Sequence, residues 1–309
     1  MGIAHWDEVE FNRAANGEID ASWQRLGATA GAVDVGVNRV RVAPGMLPTP
    51  PHSHGAAEEI YFVLDGSGLA WQDDAAHEVD AGTCVVQVAD HFEHTFRAGP
   101  GGLEYLVFGT KHPTEFGWLP RSGAVRLGWP WVEGRTDDPW DIEAKAEPLV
   151  FADPTPRPPN IVSLEPGESY RRLGADAGAA RTGLTWLRVA EGRLSGPPHT
   201  HSAAEEVFIV LEGEGTLELW PTPMAVEDGA GREDIPVRAG HVVARPASSG
   251  FAHAFRGGPG GLTLLAYGTN PANDICFYPR SNKILWGGIG VMARVEPVAY
   301  GDGEPDDWR

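Results

Sequence analysis

Six of the eleven histidines form two sets of three that share one spacing. The sets are His52, His54 and His94, and His199, His201 and His253. The first two histidines of each set are two positions apart, which on a strand places both imidazoles on one face. A glutamate follows after four intervening residues, Glu59 in the first set and Glu206 in the second. The pattern predicts two metal sites, each with three imidazoles and one carboxylate.

The ligand types restrict the metal. Cys84 and Cys276 lie far apart and form no motif, so the sequence predicts neither a disulfide framework nor a cysteine zinc site. Four nitrogen and oxygen ligands that leave positions open suit a divalent Fe, Mn, Ni, Co or Cu ion, and suit Zn less well. Such an ion can polarise a bound oxygen, bind an enolate or activate dioxygen.

The elements that carry these residues occur twice. Pro50–His54 matches Pro197–His201 at an offset of 147 residues, and Gly99–Leu103 matches Gly258–Leu262 at an offset of 159. The net insertion of 12 residues is predicted near residues 221–233, which are rich in Pro, Gly and acidic side chains. We predict an N-terminal domain of residues 1–150, a C-terminal domain of residues 151–309 and a proline-rich linker at about residues 148–160.

Short apolar segments bounded by Gly predict an all-β fold, either a barrel or a sandwich. In the first copy we predict strands at 59–64, 69–71, 83–88 and 103–108, with a tight turn at 65–68 and a hairpin turn at 99–102. In the second copy the strands are predicted at 206–211, 216–220, 241–245 and 262–267. One short helix is predicted at 141–146.

The spacing His52-x-His54-x4-Glu59-x6-Gly66 resembles the first motif of the cupin superfamily, and it recurs from His199 to Gly213. The second motif is matched more loosely by residues 82–94 and 240–253, and Val88 stands where the family has Pro. The resemblance covers nearly the whole chain. It implies a bicupin, with two tandem cupin double-stranded β-helix (jelly-roll) barrels that arose by internal duplication.

Glu58 and Glu205 precede the predicted carboxylate ligands by one residue and are alternative ligands. The six-residue spacing to the following Gly in the family pattern favours Glu59 and Glu206. Tyr61 lies two residues beyond Glu59 and is therefore predicted on the same inward face, where it would assist the reaction. Glu59 is predicted to act as a base as well as a ligand, and Tyr61 or Arg39 to orient the substrate.

Site two has Phe208 where site one has Tyr61, and Trp186 where site one has Arg39. It is therefore expected to be more apolar, with Phe208, Val210 and Trp186 around the metal. Such surroundings suit a structural metal or a pocket for an aromatic substrate.

The resemblance implies three classes of function. The first is a metal-dependent dioxygenase, similar to quercetinase-like bicupins, that acts on a chelating enol, catechol or carboxylate. The second is a redox-neutral isomerase, cyclase, lyase or decarboxylase, similar to the bicupin oxalate decarboxylases. The third is a non-catalytic cupin that binds a sugar or a metal. We expect the first class, an oxidoreductase, with the second as its close alternative.

Charge restricts the partners. The chain has 24 basic and 43 acidic residues and a net charge of −19, which disfavours binding to nucleic acid or anionic membrane. Residues 1–17 contain no apolar segment of the kind found in signal peptides. We therefore expect a cytoplasmic protein with a small-molecule substrate, either a monomer or a homo-oligomer.

Overall fold

The computed structural model describes residues 2–127, 138–299 and 301–305 of the chain. The strands of the first half are β1 (Gly2–His5), β2 (Asn12–Asn16), β3 (Ile19–Gln24), β4 (Val35–Val42), β5 (Ser53–His54), β6 (Glu59–Gln72), β7 (Ala75–Asp80), β8 (Thr83–Gln87), β9 (His94–Thr110), β10 (Phe116–Leu119) and β11 (Ala124–Leu127). The strands of the second half are β12 (Ile161–Ser163), β13 (Tyr170–Arg171), β14 (Thr182–Val189), β15 (Thr200–His201), β16 (Glu206–Pro221), β17 (Glu233–Arg238), β18 (His241–Arg245), β19 (Phe251–Thr269), β20 (Ile275–Tyr278), β21 (Lys283–Trp286) and β22 (Val291–Arg294).

The helices are short. They are α1 (Leu26–Thr29), α2 (Pro139–Glu143), α3 (Leu173–Asp176) and α4 (Pro223–Glu227), and 3-10 turns span Trp6–Glu8 and Gly287–Ile289. The helix predicted at 141–146 begins earlier, because Asp138 caps it by accepting the Trp140 N–H at 2.8 Å. None of the helices in the described parts of the chain is long enough to span a bilayer.

Each half of the chain builds one large and one small sheet. In the first barrel, β12-β8-β6-β9-β4-β3-β2, with β7 beside β6, accompany the small sheet β11-β10-β5. In the second barrel, β1-β18-β16-β19-β14-β13, with β17 beside β16, accompany the small sheet β15-β20-β21-β22. The all-β prediction of two tandem jelly-roll barrels is therefore confirmed.

The two longest strands of each barrel are bent rather than interrupted. Because β6 and β9 continue through residues 65–68 and 99–102, the predicted tight turn and hairpin turn are both wrong. The strand pair shifts register on either side of Gly66, which has φ +80°. A Cβ at this position would lie 2.4 Å from the carbonyl oxygen of Gly102. Glycine therefore marks a bulged bend here, which uses the same residue types as a turn.

The insertion lies where the repeat predicts it. In the first barrel, Asp73 and Asp74, both with positive φ, turn β6 into β7. In the second barrel, residues 222–232, including α4, connect β16 to β17. The two barrels therefore differ in length mainly at this hairpin, on the edge of the large sheet.

The two halves exchange strands. β1 pairs with β18 of the second barrel, and β12 pairs with β8 of the first. The exchange is reciprocal, since Ile3 lies opposite Val243 and Val162 lies opposite Cys84. Residues 148–160 contain no helix or strand. With a boundary at 150/151, β1 of the N-terminal segment and β12 of the C-terminal segment each pair with the opposite barrel.

A continuous apolar core joins the barrels. It contains Leu26, Val35, Ile60 and Phe108 from the first half and Leu173, Leu184, Ile209 and Tyr267 from the second. The rings of Phe108 and Tyr267, at equivalent positions of the repeat, lie 5.0 Å apart. This shared core and the exchanged strands hold the two barrels against each other.

Two candidate metal centres

Backbone pairing brings the third histidine of each set to the first. His52 donates its N–H to the carbonyl of His94 at 3.2 Å and accepts the N–H of His94 at 2.9 Å. His199 and His253 repeat this pair with the same distances. Because residues paired in this way lie directly opposite each other, their side chains project to the same face.

The first centre consists of His52, His54, Glu59 and His94. Its ligand atoms, one from each residue, all lie within 4.8 Å of one another. Glu59 Oε2 is 3.3 Å from His54 Nε2 and 3.4 Å from His94 Nε2. His54 Nε2 is buried and has no hydrogen-bond partner among the described residues. A buried nitrogen of this kind, next to a carboxylate and two imidazoles, fits a divalent metal ion.

The second centre places His199, His201, Glu206 and His253 at the equivalent positions. Glu206 Oε2 is 3.0 Å from His253 Nε2 and 3.4 Å from His201 Nε2. Each of these three atoms is buried without a hydrogen-bond partner in the described parts of the chain. The ligand atoms form two overlapping sets, one of His199, Glu206 and His253 and the other of His199, His201 and Cys276.

Two carboxylates that the sequence analysis missed orient the histidines. Glu115 Oε1 lies 3.1 Å from Nδ1 of His54, and Asp274 Oδ2 lies 2.6 Å from Nδ1 of His201. Each carboxylate also accepts backbone N–H groups of the following loop. A carboxylate on Nδ1 fixes the ring so that Nε2 faces the centre. The two acids stand 159 residues apart, so the repeat offset itself was the available signal.

Family models match both halves of the chain. The model described as "Cupin domain" matches residues 38–108, and the model described as "Cupin" matches residues 181–281. The chain belongs to the cupin superfamily. The tandem arrangement makes it a bicupin, as the histidine motifs predicted. No significant match was found among curated protein sequences.

Solved structures of other bicupins share its fold. Oxalate decarboxylase OxdC from Bacillus subtilis, a deletion mutant, has 12% identity and a TM-score of 0.57 over 86% of this chain and 76% of that chain. Lactobacillus farciminis oxalate decarboxylase, as a formate complex, has 14% identity and a TM-score of 0.59 over 88% and 86%. A B. subtilis oxalate decarboxylase structure described for its Mn(II) centres has 12% identity and a TM-score of 0.57 over 89% and 78%. This similarity shows the fold.

The first centre of the bicupin separates charge within a buried cluster. Burial lowers the pKa of His52 to about 3, and the neighbouring imidazoles add to this effect. Burial also opposes charge on His54, but the carboxylates of Glu59 and Glu115 raise its pKa to about 10. Burial disfavours ionisation of Glu59, yet His54 and His94 hold its pKa well below the usual range. The carboxylate ligand is therefore ionised at neutral pH.

The second centre also contains an ionised carboxylate, here beside an imidazole whose pKa is lowered. Burial opposes ionisation of Glu206, but His253 and the other imidazoles lower its pKa to about 2. Burial lowers the pKa of His253 to about 4, despite the attraction of Glu206. A neutral imidazole beside an ionised carboxylate is the protonation state that a metal ion requires of its ligands.

Glu58 and Glu205, the alternative ligands, point away from the centres. Residues adjacent on a strand face opposite sides, and both carboxylates lie in the core between the barrels, 1% and 0% exposed. Glu58 accepts the N–H groups of Ala180 and Thr182, at 2.8 and 2.9 Å. Glu205 accepts three N–H groups from residues 33–35 at 2.6–2.9 Å. Glu58 and Glu205 therefore form a reciprocal clamp between the halves of the chain. The carboxylates that lie at the centres are those of Glu59 and Glu206.

Tyr61 reaches the first centre, where the sequence predicted it. Its hydroxyl donates to Glu59 Oε2 and lies 3.3 Å from His94 Nε2. Burial, with Glu59 and Tyr105 nearby, raises the pKa of Tyr61 well above its usual value, so the phenol keeps its proton. In the second centre the Phe208 ring lies 5.0 Å from the His253 ring and offers no proton.

Arg39 does not reach the centre, so its predicted role in orienting the substrate is wrong. It lies opposite Leu106, on the face of β4 that packs towards the second barrel. There its guanidinium forms an ion pair with Glu104 and lies 4.2 Å from the centroid of the Trp6 ring. Its neighbour Asn38 faces the centre instead, because strand residues alternate between faces.

Trp186 lies in the same outer cleft as Arg39. It is on the corresponding face of β14 and therefore does not surround the second metal centre, contrary to the sequence prediction. Phe208 and Val210 do face inward, in the core of the second barrel. The equivalence of Arg39 and Trp186 was correct, and only the face assigned to both was wrong.

A cavity of about 270 Å³ opens onto the first centre. Its apolar walls are Trp23, Phe96, Tyr105, Val107, Leu119 and Trp140. Asn38, Thr49 and Arg126 add polar groups. Arg126 lies opposite Gly117 on the β10–β11 hairpin, and Gly117 in turn lies opposite His54. A small molecule in this cavity would contact the metal ligands, a guanidinium and aromatic rings together.

The corresponding positions differ in the second centre. Cys276 stands where the first barrel has Gly117, Leu285 replaces Arg126, and Tyr278 replaces Leu119. The Tyr278 ring stacks on His199 at 5.7 Å, and Tyr278 lies two residues beyond Cys276 on β20, so both side chains project to the same face. Burial raises the pKa of this thiol to about 12. The sequence analysis excluded a thiol ligand because Cys276 fits no motif, and the structure places it beside two ligand histidines.

Proposed function

We propose that this bicupin is a metal-dependent lyase that removes the carboxylate group from a small organic acid with an apolar body. The first centre is its catalytic site. The observation that carries the proposal is the cavity, which combines three of the four metal-ligand side chains (His52, His54 and Glu59), a guanidinium and aromatic walls. The second centre has neither the guanidinium nor the tyrosine at these positions.

His52, His54, Glu59 and His94 would hold the metal ion. When bound, a divalent ion supplies positive charge that polarises the oxygens of a chelating substrate and stabilises negative charge as it develops. The buried, unpaired Nε2 of His54 supports this assignment. Among the ions that nitrogen and oxygen donors suit, we propose Mn²⁺ or Fe²⁺ for this site, since one structural neighbour is described for its Mn(II) centres.

Arg126 binds the substrate carboxylate. A guanidinium matches a carboxylate in shape and charge, and the pair is stronger where water is excluded. Burial and the nearby Arg25 lower the pKa of Arg126. The rings of Trp23, Phe96 and Trp140 exclude water and contact the apolar body of the substrate.

Tyr61 supplies the proton. The bond between the carboxylate carbon and its neighbour breaks, CO₂ leaves, and the electron pair remains on the neighbouring carbon. That carbon takes a proton from Tyr61 Oη, which lies beside Glu59 and His94, and solvent water returns the proton to the phenolate. The reaction consumes no oxidant and no reductant.

The structural neighbours support lyase chemistry, since their names describe oxalate decarboxylases and one is a formate complex. Oxalate itself has no apolar surface, so it would leave the aromatic walls of this cavity without a contact. We therefore propose a larger acid, such as an aryl- or alkyl-substituted β-keto acid, whose keto oxygen takes up the electron pair that the departing CO₂ leaves behind.

Release of CO₂ tests the proposal. The full chain loaded with Mn²⁺ or Fe²⁺ is incubated with oxalate and with a series of β-keto acids of increasing apolar size. We expect CO₂ release to be fastest with an apolar acid. Arg126→Leu should raise KM at least tenfold, since it removes about 1.5–3 kcal/mol of charge-assisted binding, and Arg126→Lys should restore part of it. Equal KM values for wild type and Arg126→Leu would overturn the role of Arg126.

A dioxygenase is the second candidate, and the aromatic walls favour it. Trp23, Phe96 and Trp140 would contact the ring of an enol or catechol whose oxygens chelate the metal. An oxygen electrode distinguishes the candidates. The lyase releases CO₂ under argon, whereas a dioxygenase stops without O₂ and consumes one O₂ for each substrate molecule.

A further inference from the structure

Cys276 lies inside the second centre, on the opposite strand from one of the ligands. Its Cα is paired with that of His201 across β15 and β20, so the two side chains project to one face. Its Sγ and ligand nitrogens of His199 and His201 all lie within 4.8 Å of one another. The thiol is therefore as close to these two imidazoles as one metal ligand is to another.

Independent atoms in the same centre point to a bound cation. His253, 3% exposed, directs an unpaired Nε2 into the centre, and His201 Nε2 and Glu206 Oε2 are also buried without partners in the described residues. Buried polar atoms without partners carry a large desolvation cost unless a ligand satisfies them. The two overlapping sets of this centre, which share His199, together contain five side chains, whereas the single set of the first centre contains four.

Comparison of the two barrels shows that the thiol is present in the second centre and absent from the first. Gly117 occupies the equivalent position in the first barrel, opposite His54, and contributes no donor. The neighbouring Tyr278 stacks on His199 and projects to the same face of β20 as Cys276, so its ring packs on one donor beside the other. Leu119 fills this place in the first barrel and can do neither.

We propose that the second barrel holds a thiolate metal centre in which Cys276 joins His199 and His201 as a ligand, so that one chain selects two different metal ions. A soft thiolate favours Zn²⁺, Co²⁺ or copper, whereas the nitrogen and oxygen donors of the first centre suit Mn²⁺ or Fe²⁺. On binding, the S–H bond breaks, the sulfur–metal bond forms, and the proton passes to solvent without a change in oxidation state. This assignment is independent of the reaction at the first centre.

Cobalt titration tests the thiolate directly. The metal-free full chain is titrated with Co²⁺, and bound metal is counted by elemental analysis while absorbance is recorded in the near ultraviolet. We expect two equivalents, one of which produces the charge-transfer band of a cobalt–thiolate bond. In Cys276→Ser the band should vanish and the affinity of one equivalent should fall at least tenfold. The other equivalent should bind as in wild type.

Gly117→Cys is the matched gain-of-ligand variant. A Cβ at Gly117 would have no contact closer than 3.9 Å, so the substitution fits. It should add a second cobalt–thiolate band in the first centre. If circular dichroism shows that Cys276→Ser does not fold, the proposal is tested instead by competition between Zn²⁺ and Mn²⁺ for the wild-type protein. With one equivalent of Zn²⁺ per chain and an excess of Mn²⁺, the zinc should occupy the second centre and leave the first to manganese.

Three results would overturn the proposal. They are binding of fewer than two cobalt equivalents, two equivalents without a thiolate band, and a band that persists in Cys276→Ser because Cys84 causes it. Loss of CO₂ release with an unchanged cobalt spectrum would instead count against the proposed function alone. The same metal in both centres under the competition would remove the claim of selectivity.

Discussion

The two barrels share the strand frame whose backbone pairing places the ligand histidines, and they differ in the side chains that cover each centre. His52 and His94 pair through their backbones as His199 and His253 do, with the same two distances. Above this frame, one cross-strand pair differs, because Gly117 and Arg126 of the first barrel correspond to Cys276 and Leu285 of the second. Gly117 and Arg126 leave an open cavity and provide a positive charge, whereas Cys276 and Leu285 supply a thiol donor and an apolar side chain.

This difference shows how a duplicated fold can separate two tasks. The backbone pairing that fixes the ligands tolerates change at the opposite strand, because Gly117 and Cys276 both allow the same hairpin. Substitution there changes the chemistry without moving the histidines. Catalysis is therefore expected where the cavity is open, and metal retention where the thiol lies.

The largest effect is expected from removing ligands of the first centre. His52→Ala with His54→Ala should reduce turnover to background, because the remaining side chains cannot hold a metal. The equivalent double variant, His199→Ala with His201→Ala, should retain most of the activity. Turnover and metal content per chain are measured together. Full activity in the His52/His54 variant would reverse the assignment of the catalytic barrel.

The two glutamates of the clamp between the barrels, Glu58 and Glu205, should contribute equally to the free energy of unfolding. Glu58→Ala leaves the buried N–H groups of Ala180 and Thr182 without an acceptor, which should reduce the free energy of unfolding by about 3 kcal/mol. Glu205→Ala should cost a similar amount, and Glu165→Ala, in an exposed turn, close to nothing. Urea unfolding followed by circular dichroism measures all three. Unequal losses at Glu58 and Glu205 would show that the clamp is not symmetrical in energy.

Substitution of Tyr61, which lies beside the carboxylate ligand Glu59, distinguishes an effect on proton transfer from an effect on metal binding. Tyr61→Phe, which copies Phe208, should lower kcat about 100-fold, as loss of a general acid does. Metal content should not change, because Tyr61 is not a ligand. The pH profile of kcat supplies a further check, since a purely structural role would leave its shape unaltered. An unchanged kcat would exclude the phenol as the proton donor.

The smallest effect is expected from the carboxylates that orient the histidines. Glu115→Gln should weaken metal binding in the first centre about tenfold, and Asp274→Asn should do the same in the second. Each variant should leave the other centre untouched. Competition with a chelator measures each affinity separately. An effect of Glu115→Gln on the second centre would show that the two centres are coupled through the shared core.

The sequence was sufficient for the repeated parts of the molecule. The offset between His52 and His199 predicted both ligand sets, and the spacing to Gly66 selected Glu59 over Glu58. The insertion was placed correctly because composition marks a surface loop. The bends at residues 65–68 and 99–102 were misread, because bulges and turns use the same Gly and Pro signals.

What the sequence could not supply was the pairing of distant strands. A shift of one residue reverses the face of a strand, and Arg39 was assigned to the wrong face for that reason. Cys276 meets His201 only because β20 pairs with β15, across more than 70 residues. Glu115 and Asp274 belong to no motif, although their repetition at the same offset could have identified them.

The reciprocal strand exchange has a consequence for the origin of the chain. β1 and β12 enter the opposite barrel at equivalent registers, and Glu58 and Glu205 reach across in the same reciprocal way. Such self-complementary contacts are the mark of a two-fold homodimer. An ancestral single-barrel subunit would have bound its twin through this surface, and gene fusion needed only a short connection to make the pair permanent. In the fused chain each centre is encoded by its own segment, so the residues of one centre can change without changing those of the other.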